Sequence, residues 1–380
     1  MLKPDKAKIL STVKFLAKRW FIDAFTGMAQ GLFVTLIAGT IIKQLGNLIL
    51  KAGTPAAEVV GGALVTIGTI ASFLMGAGIG AGIAKSIKGS NLVIFTGIVA
   101  GMIGAFSLQF IEGNWIVTEG GSFLSVVSPG NPIGSYVVAL IASELGSLVS
   151  GKTKLDIILV PLTVIVSAML ATYVAWPFIK LIDLLAKGIE LATAMQPFLM
   201  GIVIAASMGI LLTMPTSSAA MWIAIAMSAP GSDAMLLAGG AAVVGCAAHM
   251  VGFAVASFRE NGWGGLIAQG LGTSMLQIPN IMRNPRIMLP EIAACIVVGP
   301  LATTVFKLRC NAAGGGMGTA GLVGVFGTIE ASSGVIPDWQ MWLGIVLLMF
   351  VLPAVISYFV ALLLRKVGWI KPDDQKLETK

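Results

Sequence analysis

The chain has 380 residues, of which 57% are hydrophobic and only 11% are charged, and its mean hydropathy is +0.94. Soluble domains carry about 25% charged residues, so this composition excludes a water-soluble globular protein and predicts an all-α polytopic membrane protein with about ten transmembrane helices. The net charge of +7 arises without a basic stripe interleaved with aromatic residues, which excludes nucleic-acid binding.

Basic residues flank the first and the last apolar run. In the segment 1–20, apolar side chains stand among lysines, a pattern typical of a basic amphipathic helix on the cytoplasmic surface and equally of a plain juxtamembrane flank. Arg365, Lys366 and Lys371 follow the last run. Because short cytosolic flanks accumulate Lys and Arg, we expect a multi-pass protein of the bacterial cell membrane with both termini in the cytoplasm.

Five apolar runs make up the first half of the chain, which we interpret as a scaffold and dimerisation half covering 21–178. The runs lie at residues 21–50, 57–84, 92–111, 134–150 and 155–178. Pairs of lysines follow the second and the fourth run, and the positive-inside rule places both pairs on the cytoplasmic side. The stretch 112–133 has turn residues and no Lys or Arg, which is typical of an extracellular loop.

Two features of the apolar runs invite a chemical interpretation that their context does not support. The glycines of MGAGIGAG (75–82) resemble a nucleotide-binding loop, but no strand precedes them and no acidic ribose partner follows, so they indicate close helix packing. The cysteines form no CxxC pair and are predicted to be small buried residues; they are Cys246, Cys295 and Cys310. We expect no metal ion and no cofactor.

The second half of the chain is more broken than the first. Residues 179–194 repeat apolar residues at helical spacing with charges on another face, which predicts an amphipathic connecting helix. A transport half is predicted over 195–366 and a cytoplasmic tail over 367–380. The apolar helices of the transport half are predicted at 195–213, 233–258, 287–306 and 341–364. Non-helical backbone survives in lipid only against protein or a water-filled cavity, so the interruptions at 214–220 and 266–280 predict two re-entrant hairpins at a solute site.

His249 is the only histidine and lies in an apolar run, eleven residues before Glu260. At about 100° per residue the two side chains share a helical face about 16 Å apart, too far for one metal ion but compatible with one cavity. Ionisable groups at membrane depth are costly, so His249 is a candidate for binding a solute or a proton. A satisfied interhelical hydrogen bond is the equally open structural interpretation.

Glu260 and Asn261 follow Arg259 and precede the glycine-rich sequence GWGG (262–265), where a helix would break. Carboxylate and amide groups bind hydroxyls, and an aromatic face covers the C–H surface of a sugar ring, so this triplet predicts a solute site. The alternative is a helix end with an Arg–Glu pair at the membrane interface.

Small polar residues fill the two interrupted stretches. The further candidates for solute binding are Thr216, Ser217 and Ser218 in the first, and Thr273, Ser274, Gln277 and Asn280 in the second. Such residues also mediate ordinary helix packing in membranes. Glu144 and Glu330 are weaker candidates, which we interpret as structural. No nucleophile–base pair is present in the sequence pattern, so we expect no catalytic residue in this chain.

Three stretches resemble a known family. These are FTGMAQGLFVTLIAGTIIKQLG (25–46), GTSMLQIPNIMRNPRIMLPEIAACIVVGPLATTVFK (272–307) and NAAGGGMGTAGLVG (311–324). They are similar to the EIIC membrane component of the phosphoenolpyruvate-dependent phosphotransferase system, in a branch that consists of the membrane component alone and is also labelled putative toxin regulator. The resemblance extends over most of the chain.

The resemblance implies a homodimer in which the transport half moves against the scaffold half by alternating access. In sugar-transporting members an Asn-Glu-Pro or Thr-Glu-Pro glutamate holds the sugar upstream of an Asn-Pro. Asn284-Pro285 match the Asn-Pro here, whereas Gly272, Thr273 and Ser274 occupy the glutamate region, so that acidic ligand is missing. Phosphorylation needs a soluble IIB domain, which the residues after 366 are too few to form, so a separate IIB-type protein is expected as a partner.

The sequence therefore predicts a permease that moves a small polar solute, most simply a sugar or a sugar-like compound. It leaves one alternative open, a solute-sensing membrane regulator that acts through a cytosolic partner.

Overall fold

The computed structural model describes residues 12, 14–50, 52–113, 115–118, 121–124, 130–214 and 218–377, with only the backbone described for 115–118 and 121–124. Within these residues the protein is predominantly helical, as predicted, with one short antiparallel ribbon. The chain forms two compact units, Met1–Leu181 and Ile182–Lys380.

Seven helices of the first unit precede or follow a two-stranded ribbon. They are α1 (Lys14–Leu50), α2 (Pro55–Phe73), α3 (Met75–Ser86), α4 (Asn91–Ala105), α5 (Ser107–Glu112), α6 (Pro132–Val149) and α7 (Asp156–Met195), with β1 (Trp115–Thr118) and β2 (Gly121–Leu124) between α5 and α6. Local signals set two of the starts: Thr54 caps α2 ahead of Pro55, and the Asn131 side chain accepts hydrogen bonds from the backbone at the start of α6.

The helix boundaries differ from the predicted runs at three places. The run 57–84 breaks at Leu74 into α2 and α3. The stretch 112–133, predicted to be a loop, contains the end of α5 and the ribbon. Residues 179–194, predicted to be a separate connecting helix, continue α7 without a break although Pro177 lies inside it. Proline removes one hydrogen bond and kinks a helix, and helices of membrane proteins tolerate it.

Glycine lets the helices of the first unit approach backbone to backbone. A Cβ atom on Gly31 of α1 would lie 2.1 Å from the Gly78 carbonyl oxygen of α3, and one on Gly80 would lie 1.9 Å from the Gly97 carbonyl oxygen of α4. The glycines of 75–82 thus serve two opposite faces of α3. This confirms the prediction of close helix packing and follows the small-residue rule for membrane helices.

The second unit begins inside α7, and its described residues form nine further α-helices. They are α8 (Pro197–Thr213), α9 (Ser218–Ala226), α10 (Asp233–Ala256), α11 (Phe258–Ile267), α12 (Ile278–Arg283), α13 (Pro285–Val305), α14 (Ala312–Gly315), α15 (Val323–Ser332) and α16 (Asp338–Lys366). Between α11 and α12 the backbone forms a π turn and then a 3₁₀ turn; we call residues 258–284 the broken segment. The glycine-rich break predicted after Asn261 is present, because Gly262 has φ +56° inside α11.

Helix α10 is the core of the second unit. Small residues let α8 and α13 approach it closely: a Cβ atom on Gly245 would lie 2.1 Å from the Ala205 carbonyl oxygen, and the Cys295 thiol lies 3.6 Å from the Gly245 carbonyl oxygen. All three cysteines are free and buried, as predicted.

Seven of the described helices are long and apolar enough to cross a membrane; they are α1, α2, α6, α7, α10, α13 and α16. Three shorter apolar helical stretches lie at Asn91–Ala105, Pro197–Thr213 and Ala320–Ser332. Length and composition therefore define a multi-pass membrane protein.

Candidate functional site

Three buried polar side chains meet where α8, α10 and the broken segment come together. The Thr213 hydroxyl lies 2.9 Å from Nδ1 of His249 and 2.9 Å from Oγ of Ser274, and all three residues are fully buried. Thr213 also donates a hydrogen bond to the Gly209 carbonyl oxygen over 3.2 Å. The structure thus brings together two of the predicted site residues, His249 and Ser274, and adds Thr213, which sequence reasoning missed.

The His249 ring lies against a glycine. A Cβ atom on Gly209 would lie 2.4 Å from Cδ2 and 2.9 Å from Nε2 of the ring, so the absence of a side chain there makes room for it. Nε2 is buried and has no hydrogen-bond partner. Nδ1 faces the Thr213 hydroxyl, and which of the two donates depends on the tautomer of the ring. In either tautomer, Nε2 is left to donate or to accept one further hydrogen bond.

Glu291 is a second buried group that sequence reasoning missed. It lies in the first turns of α13, is fully buried, and both its carboxyl oxygens are without a hydrogen-bond partner. Its Cγ lies 2.9 Å from the position that a Cβ atom on Gly252 would take, so it faces α10. Gly252 follows His249 by three residues, about 4.5 Å along the axis on a neighbouring part of the same helix surface. A lone acidic residue in an uncharged apolar run was the available signal.

Glu260 is held in an ion pair. Nη1 of Arg365 lies 2.7 Å from Oε1 of Glu260, and Nη2 lies 3.1 Å from Oε2, a bidentate arrangement with the carboxylate side chain only 7% exposed. Arg365 also donates to the Ala256 carbonyl oxygen. The pair does not involve the neighbouring Arg259 of the predicted triplet.

Three other candidates bind the backbone that follows α16. Asn261 and Gln277 both donate to the Gln375 carbonyl oxygen, over 2.8 and 2.9 Å, and Asn280 donates to the Lys376 carbonyl oxygen over 2.9 Å. Gln277 and Asn280 are buried and hydrogen-bonded to each other over 2.8 Å. Their side-chain amides are therefore engaged by protein groups.

The remaining candidates lie apart from this cluster. Ser218 at the start of α9 is buried and donates to the Gly316 carbonyl oxygen over 2.7 Å. Thr273 accepts a hydrogen bond from the Met275 N–H and so caps the 3₁₀ turn. Thr216 and Ser217 lie outside the described residues, as does part of the predicted first hairpin tip.

The two weaker acidic candidates each have partners within their own unit. Arg19 and the Trp20 indole N–H both bind the Glu144 carboxylate, the arginine at 2.6 Å. Glu330 accepts a hydrogen bond from the Asn311 amide over 2.5 Å. Among the described residues, no group of three or more His, Cys, Asp or Glu side chains could hold a metal ion.

Together, the fold and the buried polar cluster define a multi-pass helical membrane protein with ionisable groups enclosed between apolar helices of its second unit. A family model described as phosphotransferase system, EIIC, matches residues 22–377, so the chain belongs to that family, and the resemblance is confirmed. The family implies a membrane component that works with IIB-type partners. A search of curated proteins and a search of solved structures each gave no match.

Proposed function

We propose that this EIIC protein is a permease that binds a small polyhydroxylated solute, a sugar or a sugar-like compound, beside His249 and Glu291. The observation that carries the proposal is two unpartnered buried groups in the core of the second unit: Nε2 of His249 on α10, where the ring lies against α8, and the carboxyl group of Glu291 on α13, which faces α10. Nearly all buried polar groups in folded proteins have a hydrogen-bond partner, and an ionisable side chain inside a membrane is costly. Unpartnered groups of this kind are expected where a ligand supplies the missing hydrogen bonds.

The chemistry of the pair favours hydroxyl groups, which both donate and accept hydrogen bonds. Nε2 of His249 makes one hydrogen bond, as acceptor or donor according to the tautomer, and the carboxyl group of Glu291 accepts several when ionised. The Ser274 hydroxyl, held by Thr213, adds an acceptor at the same site. A carbohydrate presents several O–H donors at fixed spacing on an uncharged frame, so it satisfies such a site without carrying a charge into the membrane.

The family and the sequence support the arrangement in the membrane that we propose. The seven long helices and three shorter apolar stretches together provide about ten spans. The basic flanks support cytoplasmic termini in a bacterial cell membrane. The homodimer, alternating access of the second unit and a separate IIB-type phosphocarrier follow from the family resemblance and belong to this proposal.

The first experiment is a solute screen on the purified protein. Monosaccharides, disaccharides and N-acetylhexosamines are tested for an increase in Tm, because a ligand at 100 times its Kd stabilises the folded state by about 2.7 kcal/mol. We expect one class to raise Tm, and the radiolabelled member of that class to enter proteoliposomes that contain the protein.

Substitutions assign the binding to the site. We expect His249→Asn and Glu291→Gln each to weaken binding by about 5- to 150-fold, the effect of losing a hydrogen bond of about 1 to 3 kcal/mol. Ser333→Ala, in the second unit but outside the cluster, is the control. If no member of the screen binds, or if binding survives both substitutions, the proposal is wrong. Binding without uptake or phosphorylation, even with a IIB-type partner, would favour the solute-sensing alternative.

A further inference from the structure

The chain that follows α16 returns to the second unit. We call residues 367–377 the C-terminal segment. It turns at Gly368, where φ is +79°, and the Trp369 N–H bonds to the Leu364 carbonyl oxygen over 2.9 Å. Ile370 is 1% exposed and Gln375 is fully buried, so the segment is docked rather than extended into solvent.

Four side-chain amides of the broken segment hold the backbone of the C-terminal segment. Asn261 makes two bonds, donating to the Gln375 carbonyl oxygen and accepting from the Leu377 N–H, each over 2.8 Å. Gln277 shares the Gln375 carbonyl oxygen, and Asn280 and Asn284 donate to the carbonyl oxygens of residues 376 and 369. The broken segment thus binds the C-terminal segment, which is folded into turns, mainly through its main chain.

Side chains of the C-terminal segment add further contacts. The Arg365 guanidinium donates to Oε1 of Gln375 over 2.8 Å, and the Asn284 amide donates to Oδ2 of Asp374 over 2.8 Å. The Arg286 guanidinium carbon lies 5.1 Å from the Trp369 ring centroid, a cation–π contact. Ile370 packs in an apolar cluster with Phe253 and other residues of the second unit.

The hydrogen bonds continue from the C-terminal segment towards the buried cluster. Gln277, which binds the segment, donates to Oε1 of Gln269 over 2.8 Å, and Gln269 donates to Ser257 at the end of α10. Gln277 and Ser274 are the two ends of one 3₁₀ turn, and Ser274 is the residue that bonds to Thr213 beside His249. The position of this turn is therefore held from one end by the segment and from the other by the buried cluster.

We propose that the C-terminal segment is a gate for this polar cluster. When the C-terminal segment is docked, the broken segment covers Ser274. When it is released, a route through the broken segment to Ser274 opens. Ser274 and Gln277 are both fully buried in the docked arrangement. The anchors are neutral amides bound to backbone carbonyls, and water can replace each such bond, so release does not leave a buried charge unpaired. The identification of the route as a solute path rests on the proposed function.

Thiol accessibility tests the gate without any solute. Ser274→Cys is introduced in the full chain and in a chain that stops after Lys366, and labelling with N-ethylmaleimide is timed on both purified proteins. The native cysteines are buried, and the rate without the new cysteine gives the background. We expect labelling at least about tenfold faster in the shortened chain, because the thiol at position 274 becomes accessible to the reagent there.

A peptide of residues 367–380 added to the shortened protein separates gating from general loosening. We expect it to restore slow labelling, and a scrambled peptide to leave labelling fast. Val335→Cys, an exposed site, is the folding control and should be labelled equally in both chains. Equal rates at Ser274→Cys in the two chains, or a fast rate that the peptide does not reverse, would overturn the gate.

Point variants in the full chain give a matched pair. Gln375→Ala removes a buried side chain that Arg365 binds, whereas Lys376→Ala removes an exposed side chain and keeps the backbone carbonyl that Asn280 binds. We expect Gln375→Ala, and not Lys376→Ala, to speed the labelling of Ser274→Cys. Equal labelling rates in these two variants would also contradict the proposal. A failure to find any bound sugar would leave these labelling results unchanged, so the two proposals can fail separately.

Discussion

The two units differ in what lies at their close helix–helix contacts. In the first, the close contacts are between glycines and backbone, as where Gly31 meets Gly78 and Gly80 meets Gly97. In the second, close contacts of the same kind surround polar side chains, His249 against Gly209 and Glu291 against Gly252. Small residues allow close approach in both units, and in the second the space so gained holds His249 and Glu291.

Two glutamates, one in each unit, show a similar contrast. Glu144 of the first unit has two partners, Arg19 and Trp20, and its pair is partly exposed. Glu291 of the second unit is fully buried and has none. A satisfied pair stabilises a fold, whereas an unpartnered buried carboxyl group destabilises it and persists only where it has another use. The comparison therefore supports the proposal that Glu291 is available to a ligand, whereas Glu144 is engaged by protein groups.

The largest effect is expected from a single methyl group in the first unit. Gly80→Ala places its Cβ 1.9 Å from the Gly97 carbonyl oxygen, so α3 and α4 must separate, and we expect a loss of more than about 3 kcal/mol in the free energy of unfolding. Gly62→Ala is the control, since a Cβ there meets nothing within 4 Å, and it should be neutral or stabilising by up to about 1 kcal/mol. Denaturant unfolding in detergent measures both, and similar stabilities would contradict the backbone-contact account.

Replacing a glutamate by methionine should change the free energy of unfolding in opposite directions in the two units. Glu291→Met removes a buried polar group without partners, and we expect stabilisation by about 1 to 3 kcal/mol together with loss of solute binding. Glu144→Met leaves Arg19 without its carboxylate, and we expect destabilisation by about 1 to 2 kcal/mol. Thermal unfolding of both variants is the measurement. Destabilisation by Glu291→Met would mean that this carboxyl group supports the fold and is not reserved for a ligand.

Composition and pattern were enough to predict the helical membrane class and the role of the glycines at 75–82, whereas the family was identified by resemblance in three stretches of the sequence. The two inferences from composition and pattern depend on local features, hydrophobic length and small-residue spacing, which the bilayer makes decisive. The break near Gly262 was predictable for the same reason, since glycine permits the positive φ found there. The continuity of α7 through Pro177 could not be predicted from the sequence, because tertiary packing decides whether a helix continues past a proline.

The candidate site was harder to predict because partners distant in sequence decide which polar groups are free. Glu260 and Asn261 have the chemistry of sugar ligands, but Arg365 and the backbone near Gln375 lie more than 100 residues away in the chain and engage them. Glu291 has no polar neighbour in the sequence that would indicate a site, yet the fold leaves its carboxyl group without a hydrogen-bond partner. Residue type gave the candidates, and only the contacts distinguish occupied groups from available ones.

Glu260 sharpens the comparison within the second unit. Its pair with Arg365 is largely buried, so Glu260→Gln should cost about 1 to 3 kcal/mol in unfolding free energy, whereas Asp233→Asn, at a carboxylate that is 70% exposed, should cost less than about 1 kcal/mol. We expect neither to change solute affinity by more than about twofold, because Glu260 is engaged by arginine. A large loss of affinity with Glu260→Gln and normal stability would instead identify it as a solute ligand.

The smallest effect is expected at Thr273, where a local structural role and a solute-binding role predict different results. Its hydroxyl caps the 3₁₀ turn that carries Ser274, by accepting from the Met275 N–H over 3.2 Å. Thr273→Val removes the cap and should cost about 0.5 to 1 kcal/mol, while Thr273→Ser keeps the hydroxyl and should cost little. Because the turn also positions Ser274, we expect solute affinity to fall less than about threefold with valine and to be unchanged with serine. A larger loss of affinity with valine, at unchanged stability, would show that the hydroxyl contacts the solute, and would extend the binding region from Ser274 to the residue that precedes the turn.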